Sequence, residues 1–362
     1  MEPHTEEATE TLSQEFNWLL DNTIDRGASD LHISADNAPH LRIDGVLWPL
    51  DVPAYTPKKT GDIVSVLIGK HLQHKILSDR KELDFSFSYR EQRFRCNVYY
   101  SKSALCASLR LLPNKIGSLA ELGVPPAAGD MLQHNQGLII VAGPTGHGKS
   151  TTLASMVDLI SSNNREHIIT IEDPVEFVFA HKKGIVSQRE VTVDTPSFAS
   201  ALRAALREDP DVVMVGEMRD LDTVEAALQM AETGHLVLTS LHTNSAAQTA
   251  ERIINFFPPH QQRQVRQQLA DILLGVISQR LLTKIQGGRV LATEIMIANS
   301  AVRSMIREGK THQLNNLIQT SAAEGMVSLE KSLADLVSRG EISLDDAMSW
   351  AIDPRNLKTL IY

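Results

Sequence analysis

Cysteine is nearly absent from this 362-residue chain, which holds only Cys96 and Cys106. Two cysteines without C-x-x-C spacing build neither a zinc site nor a disulfide framework, so reduced, packed thiols in a cytoplasmic protein are expected. Aromatic residues make up 5% of the chain and form no stripe interleaved with basic residues of the kind that stacks bases. Positive charge is also short: 35 Lys and Arg stand against 44 Asp and Glu, a net charge of -9. That balance argues against stable nucleic-acid binding. No apolar run approaches the roughly 18 residues of a membrane-crossing helix. The first 15 residues carry five glutamates and no Lys or Arg, the reverse of a secretory signal. Any membrane contact is therefore expected through partners. A 42% hydrophobic fraction fits a globular protein with a proper core, and the length suggests two domains.

The pattern divides the chain into five stretches. Residues 1–15 read as an acidic N-terminal tail. Residues 16–113 mix one helix, with Phe16, Leu19, Leu20, Thr23 and Ile24 on its stripe, with short alternating strands at 30–34, 40–43, 84–88 and 94–99. Asp44 and Gly45 are a good hairpin turn. Residues 114–136, rich in Gly and Pro, read as a linker. In residues 137–298 strands and helices alternate, with strands at 138–142, 168–172, 212–215, 236–241 and 290–297. That order predicts an α/β domain, a parallel sheet covered on both faces. Residues 299–362 read as a helical C-terminal region.

Gly143, Pro144, Thr145, Gly146, His147, Gly148, Lys149 and Ser150 satisfy the phosphate-loop pattern G-x-x-x-x-G-K-[ST]. An apolar strand leads into them. Leu153, Met156, Val157 and Ile160 then mark an amphipathic helix. Strand, glycine loop and helix start thus come in the order that phosphate binding needs: backbone N–H groups curl around the anion, and the helix start adds partial positive charge. Lys149 is expected to reach the β- and γ-phosphates of ATP and Ser150 to ligate Mg²⁺, with Thr151 completing the ATP-binding set.

Three further strand ends carry chemistry. Residues 167–176 read H-I-I-T-I-E-D-P-V-E, placing Glu172 and Asp173 at the carboxyl end of a strand, where such sheets bind ligands. A solvated strand end is the alternative. Residues 212–217 read V-V-M-V-G-E, a central strand with Glu217 just beyond it. Glu217 is the first candidate for catalysis, holding Mg²⁺ or polarising the attacking water. His235 and His242 flank a third strand, about 23 Å apart if extended, too far to share a metal. His242, at the end nearer the loop, is placed to sense the γ-phosphate, with His235 secondary. Phosphoryl transfer also benefits from a delivered cation, and Arg93, Arg95 and Arg110 lie on strands of the first domain.

Together these motifs resemble the Walker A, Asp box, Walker B and His box of the secretion ATPases, ring motors of type II secretion, type IV secretion and type IV pili. G-A-S-D-L-H-I-S, R-I-D-G, R-F-R-C-N-V-Y and L-R-L-L-P in the first domain match as well. The chain is most similar to the pilus retraction ATPases, the PilT family. It lacks the four-cysteine zinc element usual in the assembly ATPases. Residues 301–310, A-V-R-S-M-I-R-E-G-K, resemble the retraction family's C-terminal signature, with Val302, Ser304 and Met305 departing from it. His147 stands where serine is usual.

The resemblance implies a RecA-like P-loop NTPase core, a smaller α+β PAS-like N-terminal domain and a homo-hexamer that hydrolyses ATP with Mg²⁺. The arginines matching Arg95 and Arg110 would approach the phosphates. Arg303, Ile306, Arg307 and Glu308 would couple hydrolysis to movement, Arg303 and Arg307 forming a basic helix face. The ring would sit peripherally at the inner membrane, pushing on a platform protein to withdraw pilin and drive twitching motility. An accessory retraction ATPase paired with a paralogue and a type IV secretion ATPase are alternatives. A RecA-like nucleic-acid translocase and an ATP-binding scaffold without turnover stand in other classes.

Overall fold

The computed structural model describes residues 4–43, 45–78, 82–90, 92–112 and 115–362. It divides into two compact units, Met1–Lys115 with Glu176–Val178, and Ile116–Val175 with Phe179–Tyr362. Asp44 of the expected hairpin turn and the Pro113–Asn114 boundary lie outside the described residues.

The N-terminal unit runs α1 (His4–Asp25), β1 (Asp30–Ile33), β2 (His40–Ile43), β3 (Val46–Pro49), α2 (Pro57–Ser78), β4 (Glu82–Tyr89), β5 (Gln92–Ser101) and β6 (Ala104–Leu112). Its six strands form an antiparallel sheet ordered β3-β2-β1-β6-β5-β4. Residues directly opposite share a face. Leu31, Leu41, Leu109 and Cys96 therefore line one face, buried with Phe16, Leu19 and Leu20 of α1 and Ile63 and Val64 of α2. Arg42, Asp30, Arg110 and Arg95 form a polar rung across the other. Only one helix is expected here from sequence. The apolar run of α2, I-V-S-V-L-I over 63–68, has no single stripe and reads as strand-like, while Pro57 opens it as a helix at a position where a missing N–H costs nothing. Helix α1 starts at His4, so residues 4–15 continue straight into the amphipathic stripe. Cys96 and Cys106 are buried free thiols.

The larger unit runs α3 (Pro126–Met131), β7 (Gly137–Ala142), α4 (Lys149–Asn163), β8 (His167–Glu172), β9 (Ile185–Glu190), α5 (Phe198–Ala205), β10 (Val212–Val215), α6 (Leu221–Glu232), β11 (Leu236–Leu241), α7 (Ala246–Asn255), α8 (Gln262–Ile272), β12 (Leu273–Thr283) and β13 (Arg289–Ile297). Helices α9 (Ser300–Arg307), α10 (Leu314–Thr320), α11 (Leu329–Ser338), α12 (Leu344–Trp350) and α13 (Pro354–Ile361) follow. The sheet order is β13-β12-β7-β11-β10-β8-β9. Every residue of β7, β10 and β11 is buried, as expected of strands covered on both faces. The α/β class is as the sequence implies, with two corrections. The sheet is mixed, because β13 pairs antiparallel with β12. Strands β9 and β12 were not foreseen. No helix among the described residues is long and apolar enough to cross a membrane.

Helices α11 to α13 share an apolar cluster with β12 and β13, in which Leu329, Leu333 and Leu336 of α11 meet Leu282, Ala292 and Leu357. Next to it lies a buried carboxyl, Glu294 of β13, whose Oε1 accepts the Ala246 N–H at 2.6 Å, satisfying one orphan donor at the start of α7. Burial, with Glu330 nearby, pushes its pKa up to about 7. Between the unfolded value of 4.5 and about 7, the folded chain holds a proton that the unfolded chain releases. Stability from this group is therefore full below about pH 4.5 and falls, by up to about 3 kcal/mol, as pH rises to about 7. Glu294→Gln should flatten that slope and gain stability at pH 8. Urea unfolding at pH 5 and pH 8 checks it, and identical slopes in the two proteins would rule out Glu294 as the source.

Candidate functional site

The phosphate loop connects β7 to α4. Gly143, Gly146 and Gly148 all have positive φ, at 146°, 81° and 81°. At Gly143 a side chain is excluded outright, since a Cβ would lie 2.6 Å from the Gln279 carbonyl oxygen. Gly148 caps α4 with no side-chain acceptor, so the first N–H groups of the helix are left for an anion, reinforced by the helix dipole. The cradle is open over Gly146, where a Cβ would meet nothing within 4 Å. Lys149 is buried, its Nζ donating to the carbonyls of Gly143 at 3.0 Å and Pro144 at 2.9 Å. Ser150 is exposed at the first turn. This set fits the phosphates of a nucleotide and a magnesium ion beside them.

The loop is shaped from behind by β12. Gln279, fully buried, accepts from Thr152 Oγ1 at 3.0 Å and donates through Nε2 to the His147 carbonyl at 2.7 Å. The Leu281 N–H donates to His147 Nδ1 at 2.9 Å. The imidazole meets Trp350 of α12 edge-on, with centroids 5.2 Å apart. Burial, helped by Arg280 and Lys149, pushes the His147 pKa down, in keeping with a neutral ring whose Nδ1 accepts. From sequence, position 147 offers only its backbone. In the structure its side chain latches the loop to β12 and α12.

Opposite the loop, the parallel register places Glu217 after β10 and His242 after β11. His242 Nε2 is 3.1 Å from Glu217 Oε2. Its Nδ1 lies 3.3 Å from Thr145 Oγ1 and 3.4 Å from Lys149 Nζ. Lysine can only donate, so Nδ1 is the acceptor and Nε2–H the donor to Glu217. Glu217 Oε1 is held by Arg219. The imidazole therefore joins the acidic candidate to the phosphate loop in one chain of contacts.

Glu172 ends β8 beside this group, almost buried, accepting from Thr170 Oγ1 at 2.7 Å and Gln188 Nε2 at 3.1 Å. Asp173 follows it, 4.0 Å from Arg219. His235 sits at the opposite end of β11, its Nδ1 3.0 Å from the Met230 carbonyl that closes α6. It takes no part in the cluster. Arg95 and Arg110 are cross-strand partners in the N-terminal unit, where Arg110 Nε donates to buried Asp30 at 2.8 Å.

The basic face that Arg303 and Arg307 make on α9 is turned toward α8. Arg303 Nη1 donates to the carbonyls of Ala270 at 2.5 Å and Asp271 at 2.6 Å, the last-turn groups of α8 that no helical donor reaches. Arg307 pairs with Asp271 at 3.2 Å, while Val302 and Ile306 are buried. Glu308 binds Ser304 at 2.9 Å and Lys310 at 2.6 Å. The segment is thus an internal clamp between α8 and α9.

Sequence reasoning missed Gln279, Arg219 and Trp350. Gln279 had a signal, the polar S-Q-R triplet inside the apolar run L-L-G-V-I-S-Q-R-L-L. Arg219 sat in the motif G-E-M-R-D without a partner to give it meaning, and Trp350 had no local signal at all.

The family model of type II/IV secretion system proteins matches residues 5–287. The type IV pilus retraction ATPase PilT of Pseudomonas aeruginosa is 44% identical over 339 residues, 93% of this chain and 98% of its own. A twitching motility protein of Neisseria gonorrhoeae is 44% identical over 311 residues, covering 85% of this chain and 83% of that protein. A crystal structure of the pilus retraction motor PilT with bound ADP superposes with a TM-score of 0.90 at 49% identity, covering 95% of this chain and 98% of that one. Replacing Gln279 by Leu should leave the His147 carbonyl and Thr152 hydroxyl without their partner, at a cost of about 1–3 kcal/mol. Denaturant unfolding measures that loss, and an unchanged midpoint would show that β12 does not hold the loop.

Proposed function

Because the chain belongs to the type II/IV secretion system protein family, we propose that it is an ATP-hydrolysing motor that powers type IV pilus retraction. The observation that carries this reading is the link from Lys149 of the phosphate loop through His242 to Glu217. In this reading Gly143 to Thr151 hold ATP, the backbone N–H groups taking the phosphate oxygens. Lys149 leaves the Gly143 and Pro144 carbonyls for the β- and γ-phosphates. Ser150 and Glu217 would hold Mg²⁺, which neutralises charge on the phosphates when bound. Glu217 orients and polarises the attacking water, while Glu172 and Asp173 shape the acidic wall behind it. His242 changes partner when the γ-phosphate arrives or leaves, because its Nδ1 faces the two loop groups that the phosphate engages.

Arg95 and Arg110 are our candidates for the cation that a loose phosphoryl-transfer transition state calls for. Assembly as a homo-hexamer would turn each hydrolysis event into a change of ring shape. In this reading residues 16–113 form a PAS-like domain and residues 137–298 a RecA-like domain. The force would act on an inner-membrane platform protein from the cytoplasmic side, withdrawing pilin.

Steady-state hydrolysis of Mg-ATP across a size-exclusion profile tests the reading. Turnover should appear in a ring-sized species. Glu217→Gln should cut it by at least ~100-fold, the scale of a lost general base, with ADP still bound. Lys149→Ala should abolish nucleotide binding itself. Full turnover in Glu217→Gln would overturn the catalytic assignment.

A further inference from the structure

Arg219 sits in the turn between β10 and α6, beside Asp220, which caps α6. Its guanidinium has two acidic neighbours: one terminal nitrogen pairs with Glu217 Oε1, and the other lies 4.0 Å from Asp173 Oδ2. The pair is lopsided, with the Glu217 side chain 14% exposed and that of Arg219 62%. An ion pair with so exposed a cation contributes little to stability, about 0–1 kcal/mol. What it does is fix direction. Glu217 Oε2 already meets His242 Nε2 at 3.1 Å, and Arg219 holds the other oxygen. A carboxylate gripped at both oxygens has its plane set, whereas one gripped at a single oxygen can rotate about its last bond.

We propose that Arg219 is a positioning residue for hydrolysis, holding the plane of the Glu217 carboxylate while Asp173 anchors the far side of the guanidinium. Arginine suits this place because its planar fork presents separate nitrogens to two acids, which the single nitrogen of lysine does not. Asp173 thereby acquires a role through Arg219, without touching the reacting atoms. The inference rests on the reading of Glu217 as the catalytic group.

The test compares R219Q, R219K, D173N and R219Q/D173N with E217Q, each measured for kcat, KM, affinity for a fluorescent ADP analogue and melting temperature. R219Q should lose roughly ten- to a hundredfold in kcat, the scale of a misplaced catalytic group. KM and ADP affinity should stay within about twofold, since orientation and binding are separate quantities. R219K should recover part of the loss, and the double variant should be no worse than R219Q. Wild-type kcat in R219Q beside an inactive E217Q would overturn the positioning role alone. A kcat loss matched by lost affinity or lower melting temperature would also overturn it. A fully active E217Q would instead remove the reading beneath it.

Discussion

Everything at the site depends on the parallel hydrogen bonding of four adjacent strands. Ala142 pairs with Leu241, Val215 with Thr239 and with Ile171. Parallel strands end in the same direction, so Gly143, His242, Glu217 and Glu172 all emerge at one edge of the sheet. A slip of one residue in any pair would turn that strand's side chains to the other face and take its chemical group away. The near-continuous burial of β7, β10 and β11 is what makes such a slip costly.

A loop that binds through its backbone needs other groups to hold its shape, its own Lys149 and His147 side chains among them. That work also falls to β12, through Gln279 and the Leu281 N–H, and to Trp350 against the His147 ring. The same strand carries Arg280, whose Nη2 donates to the Asn244 carbonyl at 2.7 Å, just past His242. One strand therefore braces both the phosphate loop and the segment that follows β11. Helix α12 enters the same cluster, and Glu330 of α11 accepts the N–H groups of Ile352 and Asp353 at 3.0 and 2.9 Å. The C-terminal helices are thus tied by hydrogen bonds and ring contacts to the back of the nucleotide loop.

The C-terminal signature braces the core in the same way. Arg303 closes the carbonyl end of α8, and two apolar residues pin its helix to the core. A movement of α8 would then carry α9 with it. This suits a motor that converts a small change at the phosphates into displacement of packed elements, because packed interfaces switch between discrete arrangements and do not stretch.

Local chemistry made much of this legible in advance. The phosphate loop declares itself because only glycines reach its φ values and only one order of strand, loop and helix serves it. Glu217 and His242 could be read because each follows a short, mostly apolar run, and such runs end where a buried strand must meet water. Helix α2 was not legible, since its β-branched run masks the helical period, and β12 was not, since polar residues interrupt it. The pairing of Gln279 with Thr152 and His147, of Arg219 with Glu217, and of Trp350 with His147 joins residues that nothing in the local pattern relates. Periodicity and spacing report what a residue's immediate neighbours dictate. Which polar groups satisfy one another is decided by sheet order and helix packing, because hydrogen bonds and ring contacts act over a few ångströms of space whatever their separation along the chain.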